Sequence, residues 1–145
     1  MLEINRMQET DLDEVAALEK EIFSMPWSKK GFLDTLSMAQ VHFLVARKGG
    51  ELVGYCGIYQ AADEGEITNV AVDEKFRKHG IAKQMVEQLI AQAAAEGTKH
   101  FVLEVRCSND AAVHLYRKLH FENQGIRKNF YEKPREDAYI MTLDV

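Results

Sequence analysis

The sequence is short of cysteine, of metal-ligand patterns, of long apolar runs and of positive charge, and each shortage excludes a class of protein. Of 145 residues only Cys56 and Cys107 are cysteines. That is too few for a disulfide framework, and their spacing is not that of a zinc site. Both are expected to be small apolar fillers in strands or at strand ends. The five histidines (His42, His79, His100, His114 and His120) form no helical ligand pair, so they are expected in surface or packing roles and no metal is expected. No apolar run approaches the ~18 residues of a transmembrane helix, so no membrane association is expected. The start, "MLEINRMQETDLDE", lacks a signal-peptide core, which leads to the expectation of a cytoplasmic protein. The formal charge is −5, which argues against a nucleic-acid partner. Repeats, linkers and low-complexity segments are absent too, so residues 1–145 are expected to form one domain with a substantial core.

What is there is a regular alternation of element signals. Residues 2–7 read as a short strand. "TDLD" (Thr10 to Asp13) matches a capping box and opens a helix with Leu12, Val15, Leu18 and Ile22 on one face. Ser28 can cap a second helix carrying Phe32, Leu33 and Leu36. "VHFLVARK" and "ELVGYCGIYQ" flank a Gly49–Gly50 hairpin turn, and "GEITNVAV" follows as the third strand of a meander. Residues 81–96 place Ile81, Ala82, Met85, Val86, Leu89, Ile90 and Ala93 in one helical stripe, ended by Gly97. "HFVLEVR" is a buried strand, "SND" opens a helix running to Leu119, and strands follow near 121–130 and 138–144. The order is β-αα-βββ-α-β-α-ββ, an α/β fold with a mixed, mostly antiparallel sheet flanked by helices.

The junction "KFRKHGIAKQM" joins the third meander strand to the long helix. The first N–H groups of a helix have no intrahelical partners, and the helix dipole adds about half a positive charge there. Gly80 removes any Cβ from the approach, and Arg77, Lys78 and Lys83 add charge. Residues Arg77, Lys78, His79, Gly80, Ile81, Ala82 and Lys83 therefore read as a pyrophosphate cradle. A plain strand–helix turn with solvated lysines fits the same residues. Neither a phosphate loop ending in Gly-Lys-Ser/Thr nor G-x-G-x-x-G is present.

Two side chains stand out for chemistry. In "HFVLEVR", Phe101, Leu103 and Val105 alternate with Val102, Glu104 and Arg106, so a carboxylate sits in an otherwise apolar strand. Such a group has its pKa raised by burial and suits a base; pairing with Arg106 on the same strand face would explain it equally. Tyr116 shares a helix face with Ala112, Leu115 and Leu119, the pattern of a core tyrosine. Its phenol, near pKa 10, could also protonate a thiolate near 8.5. Asn109 stands where it can cap that helix.

Arg-x-x-Gly-x-Ala (Arg77, Gly80, Ala82) after "VAV" resembles the acetyl-CoA signature of the GNAT acetyltransferases, and "LEVRCSNDAAVHLYRKLHF" resembles the next motif pair of that family. "PWS" (Pro26 to Ser28), "EVR.SN", "LY" and "RKNFY....EDAYIM" resemble, more narrowly, its RimI group of bacterial ribosomal-protein-alanine N-acetyltransferases. The resemblance runs from about residue 4 to 142. Two positions depart from it: Ala82 closes the signature in place of glycine, and His120 stands where "GF" is usual, a place that asks for a left-handed backbone.

The resemblance implies a GNAT-like fold, acetyl-CoA as co-substrate without a metal, and a protein N-terminus as acceptor, that of an alanine-starting small-subunit ribosomal protein. It implies Glu104 as general base and Tyr116 as proton donor to the leaving thiolate. It also implies Asn109 and the strand end Val70, Ala71 and Val72 along the pantetheine arm. Trp27 and Tyr131 would wall the acceptor side. Transfer would be direct, so Cys107 is not a nucleophile. An α-amine, with pKa about 7.7–8.0, is already neutral in roughly a tenth of molecules at pH 7, whereas a lysine near 10.4 is neutral in about 0.04%. That difference is roughly 3–4 kcal/mol, so an α-amine needs only a modest base. Protein lysines or small amines are the alternative acceptors, and a non-catalytic acyl-CoA sensor is the alternative from another class.

Overall fold

A computed structural model describes residues 1–145. Seven strands form one sheet: β1 (Leu2–Arg6), β2 (Val41–Lys48), β3 (Glu51–Ala61), β4 (Glu64–Val72), β5 (His100–Arg106), β6 (Glu122–Glu132) and β7 (Arg135–Asp144). Four helices accompany them: α1 (Leu12–Ile22), α2 (Lys29–Leu36), α3 (Ile81–Ala95) and α4 (Asp110–Lys118). The spatial order is β1-β2-β3-β4-β5-β7-β6. Only β4 and β5 pair in parallel; every other pairing is antiparallel. Parallel neighbours need a long crossover, and α3 supplies it. No helix is long and apolar enough to cross a membrane.

Strand alternation divides the core between the two faces of the sheet. Val41, Phe43 and Val45 pack with Leu12, Val15, Leu18 and Phe32 of α1 and α2. Leu44, Ala46, Phe101, Leu103 and Val105 pack with α3 and α4. Ile81, Met85, Val86 and Leu89 are the buried stripe of α3, and burying each side chain stabilises by roughly 1.5–3 kcal/mol. Element order and meander agree with the sequence reading. One cap does not. Thr10 caps nothing, because Glu9–Asp11 is a 3₁₀ turn ahead of α1 and the Gln8 N–H donates to the Asp11 carboxylate at 2.8 Å. Ser28 caps α2 through the Gly31 N–H at 3.1 Å, and Asn109 caps α4 through the Ala112 N–H at 3.2 Å. His120 follows α4 at φ 73°, the left-handed conformation that its position asks for.

Two irregularities create the site. The β4–β5 pairing extends only from Glu64↔His100 to Glu66↔Val102, after which the strands part. Just beyond, β4 bulges: Ile67 pairs with Ile58 and Asn69 with Gly57, leaving Thr68 unmatched. An extra residue reverses the side-chain alternation. Ile67, Val70 and Val72 therefore pack on the α3–α4 side, while Ala71 packs on the α1–α2 side and Asn69 turns to α1.

Candidate active site

The parting of β4 and β5 opens a cleft of about 650 Å³. One wall carries Val70, Asn109, Ala112 and Tyr116; Glu104 lies on its floor; the other wall carries Trp27, Phe130 and Tyr131. Trp27 and Tyr131 lie 104 positions apart in the chain, and the fold brings them into one cleft.

Glu104 sits on the β5 face opposite Leu103 and Val105, with its side chain 16% exposed. Burial, then the neighbouring Glu66 carboxylate, pushes its pKa above the ordinary carboxylate range, and Arg127 pulls it back. The proposed pairing with Arg106 is not found. The cation near Glu104 is Arg127, at 3.4 Å, whereas Arg106 pairs with Glu136 at 3.2 Å. Consecutive same-face residues on a twisted strand reach different partners, here across β7 to β6. A half-buried carboxylate with one loosely held, exposed cation is a better proton acceptor than a free surface carboxylate.

Tyr116 is buried within α4, its ring 5.7 Å from that of Phe121. Burial pushes its phenol above the usual value, so it keeps its proton at neutral pH. Cys107 follows β5; burial and then Asp137 push its thiol up, away from the thiolate a nucleophile needs. Cys56 is fully buried and pushed up to about 12.

The cradle residues lie outside this cleft, at the turn following β4. Gly80 adopts φ 75°, no side chain caps α3, and an added Cβ would meet nothing within 4 Å. The first intrahelical donor is the Gln84 N–H, bonded to the Gly80 carbonyl at 3.1 Å, so the preceding N–H groups are free. Lys78 is also left-handed, at φ 68°, and the Arg77 Nε donates to the Val72 carbonyl at 3.2 Å. His79 and Lys83 are exposed. The Ala71 and Ile81 side chains are core residues, so only their backbone faces a ligand. Open backbone, free donors and surrounding cations fit a pyrophosphate.

The opposite wall holds groups, among them Arg106 and Ser24, that the sequence did not place there. Arg106 donates to the carbonyls of Lys133 (3.2 Å) and Pro134 (2.9 Å) and lies 4.2 Å from the Tyr131 ring centroid, pinning the β6–β7 hairpin to β5. Hydrogen bonds from Ser108, then Arg106, hold the Glu136 carboxyl below the usual range. The Ser24 hydroxyl donates to the Lys133 carbonyl, so the α1–α2 connection and the hairpin meet over the cleft. Glu19 was missed as well. It is 2% exposed on the face of α1 that also carries Leu12 and Val15. A glutamate seven residues after Leu12 and four after Val15 was the available signal.

The acetyltransferase (GNAT) family model matches residues 12–121 of this fold. The chain belongs to the GNAT acetyltransferase family. It is 32% identical over 98% of its length, and 97% of the relative's, to the ribosomal protein bS18 alanine N-acetyltransferase of Escherichia coli. It is 34% identical over 97% of its length to the N-alpha-acetyltransferase RimI of Mycobacterium tuberculosis, covering 91% of that protein. The crystal structure of the ribosomal-protein-S18-alanine N-acetyltransferase from Escherichia coli superposes with a TM-score of 0.91 at 31% identity, covering all of this chain and 94% of that one.

Proposed function

We propose that residues 1–145 act as one cytoplasmic domain that transfers an acetyl group from acetyl-CoA to the N-terminal α-amine of a protein, an alanine-starting small-subunit ribosomal protein. The observation that carries the α-amine reading is the roof over the cleft, where Ser24 meets Lys133. A roofed passage admits a chain end more readily than a side chain projecting from a continuous backbone. The segments "MPWS" and "RKNFYEKPRED" flank this roof and overlap the stretches, "PWS" and "RKNFY....EDAYIM", that resemble the RimI group. The names of two relatives, which act on ribosomal protein bS18 or on α-amines, support the same acceptor.

Acetyl-CoA, when bound, supplies the acetyl thioester. The free N–H groups at the start of α3, with Arg77, Lys78 and Lys83, hold its pyrophosphate, while Asn109 and the backbone of Val70–Val72 flank the pantetheine arm. Glu104, directly or through water, takes a proton from the acceptor ammonium. The free amine attacks the thioester carbonyl, a C–N bond forms, the C–S bond breaks, and the new amide nitrogen gives up its second proton to solvent. A backbone N–H of Val70–Val72 stabilises the developing oxyanion. Tyr116 passes its phenolic proton to the departing sulfur and regains one from solvent. Trp27 and Tyr131 line the acceptor's path.

A thiol-release assay tests this reading. Turnover is expected with an alanine-starting peptide of ribosomal origin, and far less with the same peptide blocked at its N-terminus but carrying a free lysine. Equal turnover on the lysine peptide, or on polyamines, would move the protein to another acceptor class. Acetyl-CoA binding with no turnover on any amine would make it a sensor.

A further inference from the structure

The Glu19 carboxylate is buried in the wall of the cleft and accepts hydrogen bonds from three separate elements. Its Oε2 takes the Trp27 backbone N–H at 2.9 Å. Its Oε1 takes the Tyr55 hydroxyl of β3 at 2.5 Å and the Asn69 side-chain amide of β4 at 3.5 Å. A carboxylate this deep is costly unless well satisfied, and removing it strands its donors. Holding α1 against the sheet does not require a charge, since Leu12, Val15 and Leu18 already do so with apolar contacts. What the carboxylate joins is particular. Trp27 belongs to the acceptor wall, and Asn69 directly follows the bulge that turns β4 at the thioester side. Because a carboxylate only accepts, Asn69 must present its NH₂ to it. The Asn69 Oδ1 is left buried without a partner, a cost the fold retains at this position.

We propose that Glu19 is a positioning residue that sets the spacing between the two sides of the cleft. Through Trp27 it holds the acceptor wall, and through Asn69 it holds the β4 bulge. Glu19 touches neither substrate. The proposal rests on the reading of the "MPWS" segment, residues 25–28, as part of the acceptor wall.

Trp27 is the only tryptophan in the chain, so its fluorescence reports on that wall directly. In Glu19→Ala, Trp27 emission should shift to the red and its acrylamide quenching should rise about twofold or more as the ring loosens. KM for an alanine-starting peptide should rise about tenfold or more, the factor that losing a hydrogen bond to a charged group brings. The acetyl-CoA Kd by calorimetry should stay within about twofold. Glu19→Gln, whose amide oxygen can still accept the Trp27 N–H, should recover most of the Trp27 signal and part of the KM. If Glu19→Ala does not fold, Glu19→Gln and Tyr55→Phe carry the test, with smaller shifts in the same order. Unchanged Trp27 emission and peptide KM in folded variants would overturn the proposal. So would an acetyl-CoA Kd that rises in step with the peptide KM, because that is general loosening. Should the wild type turn over no N-terminal peptide, the acceptor reading fails; the Trp27 and calorimetric readouts still decide whether Glu19 sets the wall.

Discussion

On the side of the cleft that carries Tyr116, the groups that face a ligand come from two short continuous segments, Val70–Lys83 and Asn109–Tyr116. On the side that carries Trp27, most of the holding contacts join residues far apart in the chain: Ser24 with Lys133, Glu19 with Tyr55 and Asn69, Arg106 with Lys133, Pro134 and Glu136. The first side works mainly through backbone, so it needs a glycine, a helix start and nearby cations. The second works through side chains that hold two loops over the sheet. Backbone donors at a helix N-terminus suit any pyrophosphate, whereas on the proposed reading the loops select the amine. One side is thus suited to a constant co-substrate and the other to a particular acceptor.

The largest expected effect comes from removing the proposed base, Glu104, which lies between the two sides. Glu104→Gln should lower kcat/KM for an alanine-starting peptide by about a hundredfold or more below pH 7. The deficit should shrink toward pH 9, where an α-amine of pKa about 7.7–8.0 loses its proton unaided. Steady-state rates between pH 6 and 9 check this, and a deficit constant across the range would reassign Glu104 to positioning. Tyr116→Phe should lower kcat by roughly a hundredfold with acetyl-CoA affinity little changed, because the ring still packs on Phe121. Wild-type turnover would leave Tyr116 a packing residue.

Gly80 tests whether the first side truly depends on backbone. Asparagine tolerates a left-handed conformation, so Gly80→Asn should keep the melting temperature while weakening acetyl-CoA about tenfold, as a side chain now stands in the approach. Gly80→Val should bind as poorly and also lose about 1–2 kcal/mol of stability to strain at φ 75°. Unchanged affinity by calorimetry in both variants would remove the cradle from this turn.

The smallest expected effect has the opposite sign. The Glu104 pKa is raised in the folded protein, so the native state binds that proton more tightly than the unfolded chain. Stability therefore falls as pH rises through the window from the unfolded pKa to the higher folded one. Glu104→Gln escapes that penalty. It should melt slightly above the wild type at neutral pH, less the weak Arg127 pair, and the advantage should vanish as pH falls below the ordinary carboxylate range. Melting curves at pH 4 and pH 7.5 check the sign; a wild type that gains on the variant with rising pH would contradict the raised pKa.

The order of elements, the Gly49–Gly50 hairpin, the buried stripe of α3 and the caps at Ser28 and Asn109 were all legible in the sequence, because each depends on residues within a turn or two of one another. The residues on the Tyr116 side lie in two short segments, and their roles came from the family resemblance. The Thr10 cap was misread because the chain tightened into a 3₁₀ turn that Asp11 closes instead. The Glu104–Arg106 pairing was misread because long side chains on one strand reach whatever neighbouring strands offer. Sequence alone thus determined the local periodicities, the capping chemistry and the placement of a glycine where a helix begins. Only the tertiary structure decided where β4 parts from β5, that a single extra residue at Thr68 turns Asn69 toward Glu19, and that Ser24 meets Lys133. The physical reason is that strand separation and bulge position depend on pairing between segments distant in the chain. A buried carboxylate, likewise, is defined only by the donors that the rest of the fold brings to it.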